Sequence, residues 1–252
     1  MIDVLNLKNF SQNNVAPISF SVAKDEIVGL IGSSGTGKTK ICDMVTGFIS
    51  PEGNVNVSGA DMALTPAAAK SKIGYMPEID PLYREMTVFD FLQFAAKIKK
   101  VNPAEIPNVI SSLISRFGLS ASLNEFIYNL SKENCKKVSL LTAVVNSPDV
   151  LILDNPFSGL SNDAKNTMVE LISELAAEKA VLITGNDPEE FFDRIINLDN
   201  EAMLEELSEM EESDELLDNE EIEKILEEEL LSDISETEDA GDIEDEDGEG
   251  TL

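Results

Sequence analysis

The chain has 252 residues, 42% of them hydrophobic, which suffices for one large domain or for one domain with an appendage. Its formal net charge is −31 and it contains no histidine. Direct nucleic-acid binding is disfavoured because phosphate contacts need basic patches, and the absence of histidine excludes histidine general bases and histidine metal sites.

Two half-buried strands are predicted at the start of the chain. Residues 2–10 and 17–22 alternate apolar and polar side chains, as strands do when one face packs on a core. Asp25 and Glu26 then turn the chain into residues 27–31, an apolar run that predicts a buried strand. We expect the first two strands to form an antiparallel flap on the main fold.

Residues 32–39 form the most informative motif. They read GSSGTGKT and match GxxxxGK[ST], in which backbone N–H groups surround phosphate oxygens, the lysine reaches the β- and γ-phosphates and the last hydroxyl binds Mg²⁺. A helix over 40–46 would direct its N-terminal dipole at the phosphates. Phe10 is either a core residue, the commoner role of a strand Phe, or a stacking partner of an adenine. The expected nucleotide-binding residues are Gly32, Ser33, Ser34, Gly35, Thr36, Gly37, Lys38, Thr39 and Lys40.

The middle of the chain is predicted to be mostly helical. A turn at 49–53 and short strands at 54–59 and 72–78 lead to Thr87, which can cap a helix over 88–100. Residues 105–130 predict two more amphipathic helical segments. We therefore expect a helical insertion over about residues 82–140.

A carboxylate closes the next buried strand. Residues 150–154 read VLILD, which fits a central parallel strand buried on both faces. Asp154 then lies where ligands bind in open α/β sheets, so it can reach the Mg²⁺ that Thr39 holds. A helix over 162–178 and strands over 180–184 and 194–198 follow, and the alternation predicts a parallel sheet covered on both sides.

Five motifs in order resemble those of ABC transporter ATP-binding domains. Besides the phosphate loop, they are GYMPE followed by PLY, LSKE, DNPFSGLS and TGND, at 74–78, 81–83, 130–133, 154–161 and 184–187. The resemblance spans residues 2–204. It is strongest to the ATPase subunits of gliding-motility-associated (GldA-like) export complexes, which carry Glu where most ABC proteins have the Gln of the Q-loop.

The resemblance implies an α/β P-loop NTPase fold of the ABC type in three layers, with an N-terminal antiparallel β subdomain and an inserted helical subdomain. It also implies that ATP and Mg²⁺ are bound, with Glu78 in the Q-loop and a signature at Leu130, Ser131, Lys132 and Glu133. Each ATP would lie between two such domains in a homodimer or a heterodimer with a second ABC ATPase. Integral-membrane permease subunits would be the partners, which places the chain at the inner face of the cytoplasmic membrane.

The chain departs from the family pattern at residues that are expected to take part in ATP hydrolysis. Asn155 stands where the catalytic Glu is expected, and an amide cannot hold the proton of a general base; the loss of such a base typically costs about 10²–10⁴ in rate. Asn186 replaces the switch His, and Glu133 puts a carboxylate in place of a signature glycine. These changes predict weak or absent hydrolysis. A slow but working ATPase, and a pairing with a different, intact ATPase, are the alternatives.

The C-terminal part of the chain is strongly acidic. Residues 201–252 carry 25 of the 49 acidic residues and one basic residue, Lys224. Apolar residues at helical spacing predict a helix over about 219–232, and the remainder is predicted to be disordered. The tail is either a solvating segment or an acidic docking peptide for a partner's groove.

The combined prediction is an ATP-binding subunit of an ABC export complex, with a domain over 1–204 and the tail over 205–252. No apolar run approaches the roughly 18 to 20 residues of a transmembrane helix and no signal peptide is evident, so we expect a cytoplasmic chain without direct membrane insertion. The alternative is a non-catalytic structural or regulatory partner that uses the same fold as a scaffold. A small P-loop GTPase or kinase is disfavoured because the NKxD guanine motif is missing.

Overall fold

The computed structural model describes residues 3–12, 15–50 and 52–199, and their backbone forms two β-sheets and six α-helices. The strands are β1 (Asp3–Gln12), β2 (Val15–Ala23), β3 (Ile27–Ile31), β4 (Glu52–Val57), β5 (Ala60–Asp61), β6 (Ile73–Met76), β7 (Val150–Asp154), β8 (Ala180–Gly185) and β9 (Arg194–Asn197). The helices are α1 (Lys38–Val45), α2 (Pro66–Ser71), α3 (Val88–Ile98), α4 (Ile106–Arg116), α5 (Lys132–Val144) and α6 (Asn162–Ala176).

The N-terminal sheet is antiparallel, in the order β2-β1-β4-β5. Leu5, Leu7, Ile18, Phe20 and Val22 are buried in it, which is the alternation that the sequence predicted. The antiparallel flap is therefore confirmed.

The second sheet is parallel, in the order β6-β7-β8-β3-β9. Asp154 pairs in register with Thr184, and Ile31 pairs with Gly185. The carboxyl ends of β3, β7 and β8 therefore lie side by side, at the edge where open α/β sheets bind ligands.

Two hydrophobic cores cover the two faces of the parallel sheet. Leu151 and Leu153 of β7 belong to the core shared with α3, α4, α5 and α6. Val150 and Ile152 of the same strand face the opposite core, which includes α1 and the antiparallel sheet. These three layers, with a mostly parallel sheet and an antiparallel N-terminal sheet, agree with the fold that the sequence predicted.

The helical segment between β6 and β7 differs from the prediction in one place. Thr87 caps α3 as expected, since its hydroxyl accepts a hydrogen bond from the Asp90 backbone N–H at 3.1 Å. The second helical segment predicted before residue 130 was wrong, because only two short 3₁₀ turns follow α4. Gly118, with a φ of 67°, follows the end of α4, and backbone hydrogen bonds then hold residues 123 and 125 to the start of α3.

The acidic tail lies outside the described residues. Backbone contacts divide the chain into Met1–Met203 and Leu204–Leu252, and the predicted helix at about 219–232 lies outside the described residues. Among the residues that are described, none of the helices is both long and apolar enough to cross a membrane.

Close packing of β6 on α5 makes Gly74 sensitive to substitution. A Cβ there would lie 2.4 Å from the Ala143 carbonyl oxygen, so we expect Gly74→Ala to lower the free energy of unfolding by about 1–3 kcal/mol. Gly185→Ala is the control, because its Cβ would come no closer than 3.6 Å to the Asp187 carbonyl oxygen. Urea unfolding measures both, and equal losses would contradict the packing argument.

Lys99, at the end of α3, should make stability depend on pH. Burial lowers its pKa to about 8 from 10.5, and its ammonium is held by neutral acceptors, the Ala143 carbonyl at 3.2 Å and Asn146 Oδ1 at 3.3 Å. Below about pH 8 Lys99 is charged in both the folded and the unfolded chain, and its burial as an ammonium lowers the free energy of unfolding. Between about pH 8 and 10.5 the unfolded chain binds one proton more at Lys99 than the folded chain does, so the free energy of unfolding rises with pH.

We therefore expect Lys99→Met to be more stable than the wild type at about pH 7 and this advantage to shrink towards about pH 10. Urea unfolding of the two proteins across this range measures the difference. An advantage that stays constant with pH would contradict the buried-ammonium account.

Candidate functional site

One cavity collects most of the residues that the sequence singled out. It has a volume of about 500 Å³ and lies at the carboxyl ends of β3, β7 and β8. Its lining residues are Ser34, Gly35, Gly37, Lys38, Thr39, Lys40, Asp43, Glu78, Asp154, Asn155, Thr184 and Asn186. The phosphate-loop motif, the Q-loop glutamate and both asparagines thus meet at one place.

The loop between β3 and α1 depends on glycine at two positions. Gly35 and Gly37 have φ values of 98° and 91°, in the left-handed region that glycine adopts without steric cost. Lys38 Nζ donates hydrogen bonds to the Gly32 and Ser33 carbonyls, the second at 2.7 Å. The ammonium is therefore held at the loop, on the wall of the cavity.

Asp199 fixes the start of this loop. Its carboxylate accepts from the Ser33 backbone N–H at 2.9 Å and from the Ser33 hydroxyl at 3.1 Å. Asp199 follows β9, which is the neighbour of β3 in the sheet. This contact joins residues 166 positions apart, so no local sequence signal could have indicated it.

The Asp154 carboxylate is the group in this site that most needs a ligand. The residue is 2% exposed, and its Oδ1 accepts a hydrogen bond of 2.6 Å from the Thr184 hydroxyl. Its Oδ2 is buried and has no hydrogen-bond partner within the described part of the chain. An unpaired buried carboxylate oxygen is costly, and it is the kind of ligand that Mg²⁺ prefers. Asp154 and the Thr39 hydroxyl therefore fit an Mg²⁺ ion on the wall of this cavity.

The charge of Asp154 also affects its neighbours. Burial, and after it the Asp154 charge, raises the pKa of Asp43. The same two causes, in the same order, raise the pKa of the buried Cys42 thiol. A divalent cation at Asp154 would offset this negative charge.

Glu78 and Asn155 form a hydrogen-bonded pair across the ends of β6 and β7. Asn155 Nδ2 donates to Glu78 Oε1 at 2.7 Å. The backbone of Asn155 is left-handed, with a φ of 45°, and its N–H donates to Thr184 Oγ1 at 3.0 Å. Lys136, which is 2% exposed, donates to the Glu78 carbonyl at 2.7 Å. Both members of the pair are therefore anchored to buried groups.

Some predicted site residues lie elsewhere. Gly32, Ser33 and Thr36 belong to the loop but do not line the cavity. The Phe10 backbone pairs with Ile18 in the antiparallel sheet, but its side chain lies outside the described residues, so the stacking role stays a prediction.

The four signature residues do not line this cavity. Leu130 and Lys132 line a separate cavity of about 290 Å³. Ser131 caps α5 by accepting from the Asn134 backbone N–H at 3.2 Å. The Glu133 carboxylate pairs with Lys137 Nζ at 2.7 Å, so the lysine offsets part of the charge that Glu133 would bring to a phosphate.

Sequence reasoning missed four residues of this neighbourhood. Asp43 could have been found, since it lies four residues after Thr39 and therefore on the same face of α1. Thr184 was noted within the TGND motif but not as the partner of Asp154. Lys136 and Asp199 act through contacts between distant parts of the chain.

Comparison with known proteins decides the family. A family model described as ABC transporter matches residues 15–158, more than half of the chain. The chain belongs to the ABC transporter family of ATP-binding proteins. It is 32% identical to the ABC transporter ATP-binding protein NatA of Bacillus subtilis over 179 residues, which are 70% of this chain and 73% of NatA.

Other relatives agree with this assignment. An uncharacterized ABC transporter ATP-binding protein of Methanocaldococcus jannaschii is 34% identical over 77% of this chain and 71% of its own length. A Nod factor export ATP-binding protein of Rhizobium johnstonii is 35% identical over 70% of this chain, which spans 57% of that protein. Among solved structures, an ATP-binding subunit of an ABC transporter has a TM-score of 0.65 and 28% identity, covering 73% of this chain and 79% of its own.

The Thr184 hydroxyl should contribute measurably to the stability of this ABC domain. Thr184→Val removes the donor to Asp154 and the acceptor for the Asn155 N–H, so we expect the free energy of unfolding to fall by about 1.5–3 kcal/mol. Thr184→Ser keeps the hydroxyl and is the matched control. Urea unfolding without metal or nucleotide measures both variants, and equal losses would show that the hydrogen bonds are not responsible.

Proposed function

We propose that this ABC protein is the ATP-binding subunit of an export complex and that it binds Mg·ATP in the cavity at residues 34–40. The observation that carries the proposal is that Lys38, Thr39 and Asp154 line one cavity, and that Asp154 Oδ2 is buried with no hydrogen-bond partner among the described residues. The N–H groups of the loop bind phosphate oxygens, and Lys38 contacts the β- and γ-phosphates. Thr39 and Asp154 hold Mg²⁺, and Phe10 stacks on the adenine.

Hydrolysis in this subunit is slow. Asn155 has no group that can accept and keep a proton at neutral pH, and Asn186 offers an uncharged amide in place of the switch histidine. The elements that bind ATP are retained while those expected to cleave it are changed. We therefore propose that ATP binding, more than ATP hydrolysis, is the event that this subunit transmits to the permease subunits.

A mostly apolar groove beside the site is the surface that we assign to the membrane permease subunits. It has a volume of about 690 Å³ and shares Thr39, Glu78 and Asp154 with the nucleotide cavity. Phe48 and Ile79, which line it, are 72% and 85% exposed. An exposed apolar patch of this kind is typical of a protein interface. Binding there would place the chain at the inner face of the cytoplasmic membrane.

The direction of transport is proposed as export. The support is the GldA-like segment around Glu78 and the similarity to a protein named for Nod factor export.

Two copies, or one copy and a second ABC ATPase, would enclose each ATP between residues 32–39 of one domain and residues 130–133 of the other.

A second candidate function is a non-catalytic scaffold that uses the ABC fold and the acidic tail to hold a membrane complex together. Glu133 in the signature and Asn155 beside the Mg²⁺ site favour it, because both changes weaken ATP chemistry. The two candidate functions differ in whether the role of the protein requires ATP binding.

Calorimetry with Mg·ATP separates these candidates. We expect the full chain to bind Mg·ATP saturably and Lys38→Ala to lose the binding, because it removes the ammonium that contacts the phosphates. Lys24→Ala, an exposed lysine outside the cavity, should bind as the wild type does. Absence of binding to the wild type at about millimolar ATP would reject the ATP-controlled subunit and support the scaffold.

A further inference from the structure

We propose that the Glu78 carboxylate, held by the Asn155 side chain, is the general base that activates the water attacking the γ-phosphate. This inference rests on the proposed function, because it requires ATP in the cavity. The resemblance described above implies Gln in the Q-loop and Glu after the Asp of β7 in most ABC proteins. In this chain the acid and the amide are exchanged, so a carboxylate still stands beside the cavity, at the end of β6 instead of β7.

The chemistry of the two groups determines which one donates the hydrogen bond. An ionised carboxylate only accepts hydrogen bonds, so the contact of 2.7 Å must run from Asn155 Nδ2 to Glu78 Oε1. The amide engages Oε1 of the carboxylate, and the proposal assigns to Oε2 the proton taken from water. The amide therefore orients the base, which is the role of the third group in many nucleophile–base arrangements.

The backbones of both residues are held from the protein interior. The buried Lys136 ammonium of α5 binds the Glu78 carbonyl at 2.7 Å. On the other side, the Asn155 N–H donates to Thr184, whose hydroxyl donates to Asp154. The base and the Mg²⁺ ligand are thus linked through Asn155 and Thr184. Fixed positions of this kind lower the cost of orienting a catalytic group.

The backbone also favours this exchange. Asn155 has a φ of 45°, and Asn adopts the left-handed region more readily than most side chains do. Asn155 is thus a suitable residue for this turn, while Glu78 lies just after β6. Glu78, Lys38, Thr39 and Asp154 all line the same cavity, so the carboxylate and the groups assigned to phosphate and Mg²⁺ face a common space.

The step balances with water and ATP alone. Glu78 Oε2 takes a proton from water while the water oxygen forms a bond to the γ-phosphorus. The bond between the γ-phosphorus and the β–γ bridging oxygen breaks, and its electron pair stays on the β-phosphate of ADP. The proton then leaves Glu78 for solvent or phosphate, which regenerates the base.

ATP turnover of the full chain at saturating Mg·ATP tests the role of Glu78. We expect Glu78→Gln to lower kcat by about 10²-fold or more, with the calorimetric affinity for Mg·ATP changed less than about threefold. The double variant Glu78→Gln/Asn155→Glu restores the usual arrangement and should exceed Glu78→Gln by at least about tenfold. Glu85→Gln, an exposed residue seven positions later, is the charge-matched control and should match the wild type.

Nuclear magnetic resonance of the ligand-free chain tests the pair without any turnover. The side-chain amide signal of Asn155 is assigned by its loss in Asn155→Ala. It should shift in Glu78→Gln, which removes the charged acceptor, and stay unchanged in Glu85→Gln. An unchanged Asn155 signal in Glu78→Gln would overturn the proposed pairing.

Three kinetic outcomes would overturn the role of Glu78 as the base. The first is that Glu78→Gln turns over ATP as fast as the wild type, and the second is that the wild type shows no turnover. The third is that Glu78→Gln needs more Mg²⁺ but keeps its kcat, which would make Glu78 a metal ligand only. In each case retained Mg·ATP binding, sensitive to Lys38→Ala, would leave the proposed function standing. Loss of that binding would instead reject the proposed function itself.

Discussion

The site depends on one buried charge, the Asp154 carboxylate at the end of β7. Its position follows from the sheet, because β7 lies between β6 and β8 and is buried along its whole length. One oxygen is stabilised by Thr184, and the other has no hydrogen-bond partner in the part of the chain that the structure describes. A buried carboxylate in this state is unfavourable without a cation. A cation bound at this oxygen would therefore stabilise the fold, and the proposed binding of Mg·ATP would raise the free energy of unfolding.

The same hydrogen-bond network connects Asp154, the proposed Mg²⁺ ligand, with the proposed base. Thr184 contacts both Asp154 and Asn155, and Asn155 contacts Glu78. A change at Asn155 would therefore reach Glu78 and, through Thr184, Asp154. In this reading the amide at position 155 does not simply remove a base: it orients the carboxylate of the preceding strand. The slow hydrolysis that we propose would then result from a base displaced by one strand of the sheet.

Local patterns were enough to predict most of the fold, and the motif residues that they singled out largely line one cavity. The apolar runs of β3 and β7 and the Thr87 cap are properties of adjacent residues, and the structure has them where they were expected. The segment after Gly118 was predicted to be helical because its apolar residues suit a helix, but backbone hydrogen bonds to α3 hold it in another conformation. The contacts of Lys136 and Asp199 depend on three-dimensional packing, so the sequence could not indicate them.

The most direct test is a crystal structure of the full chain with Mg²⁺ and a non-hydrolysable ATP analogue. The account predicts the triphosphate along the loop at residues 32–39, with the cation beside Thr39 and facing the unpaired oxygen of Asp154. Glu78 should keep its hydrogen bond to Asn155 and hold a water on its other oxygen. A nucleotide bound elsewhere, or a cation that neither Asp154 nor its bound waters contact, would contradict the account.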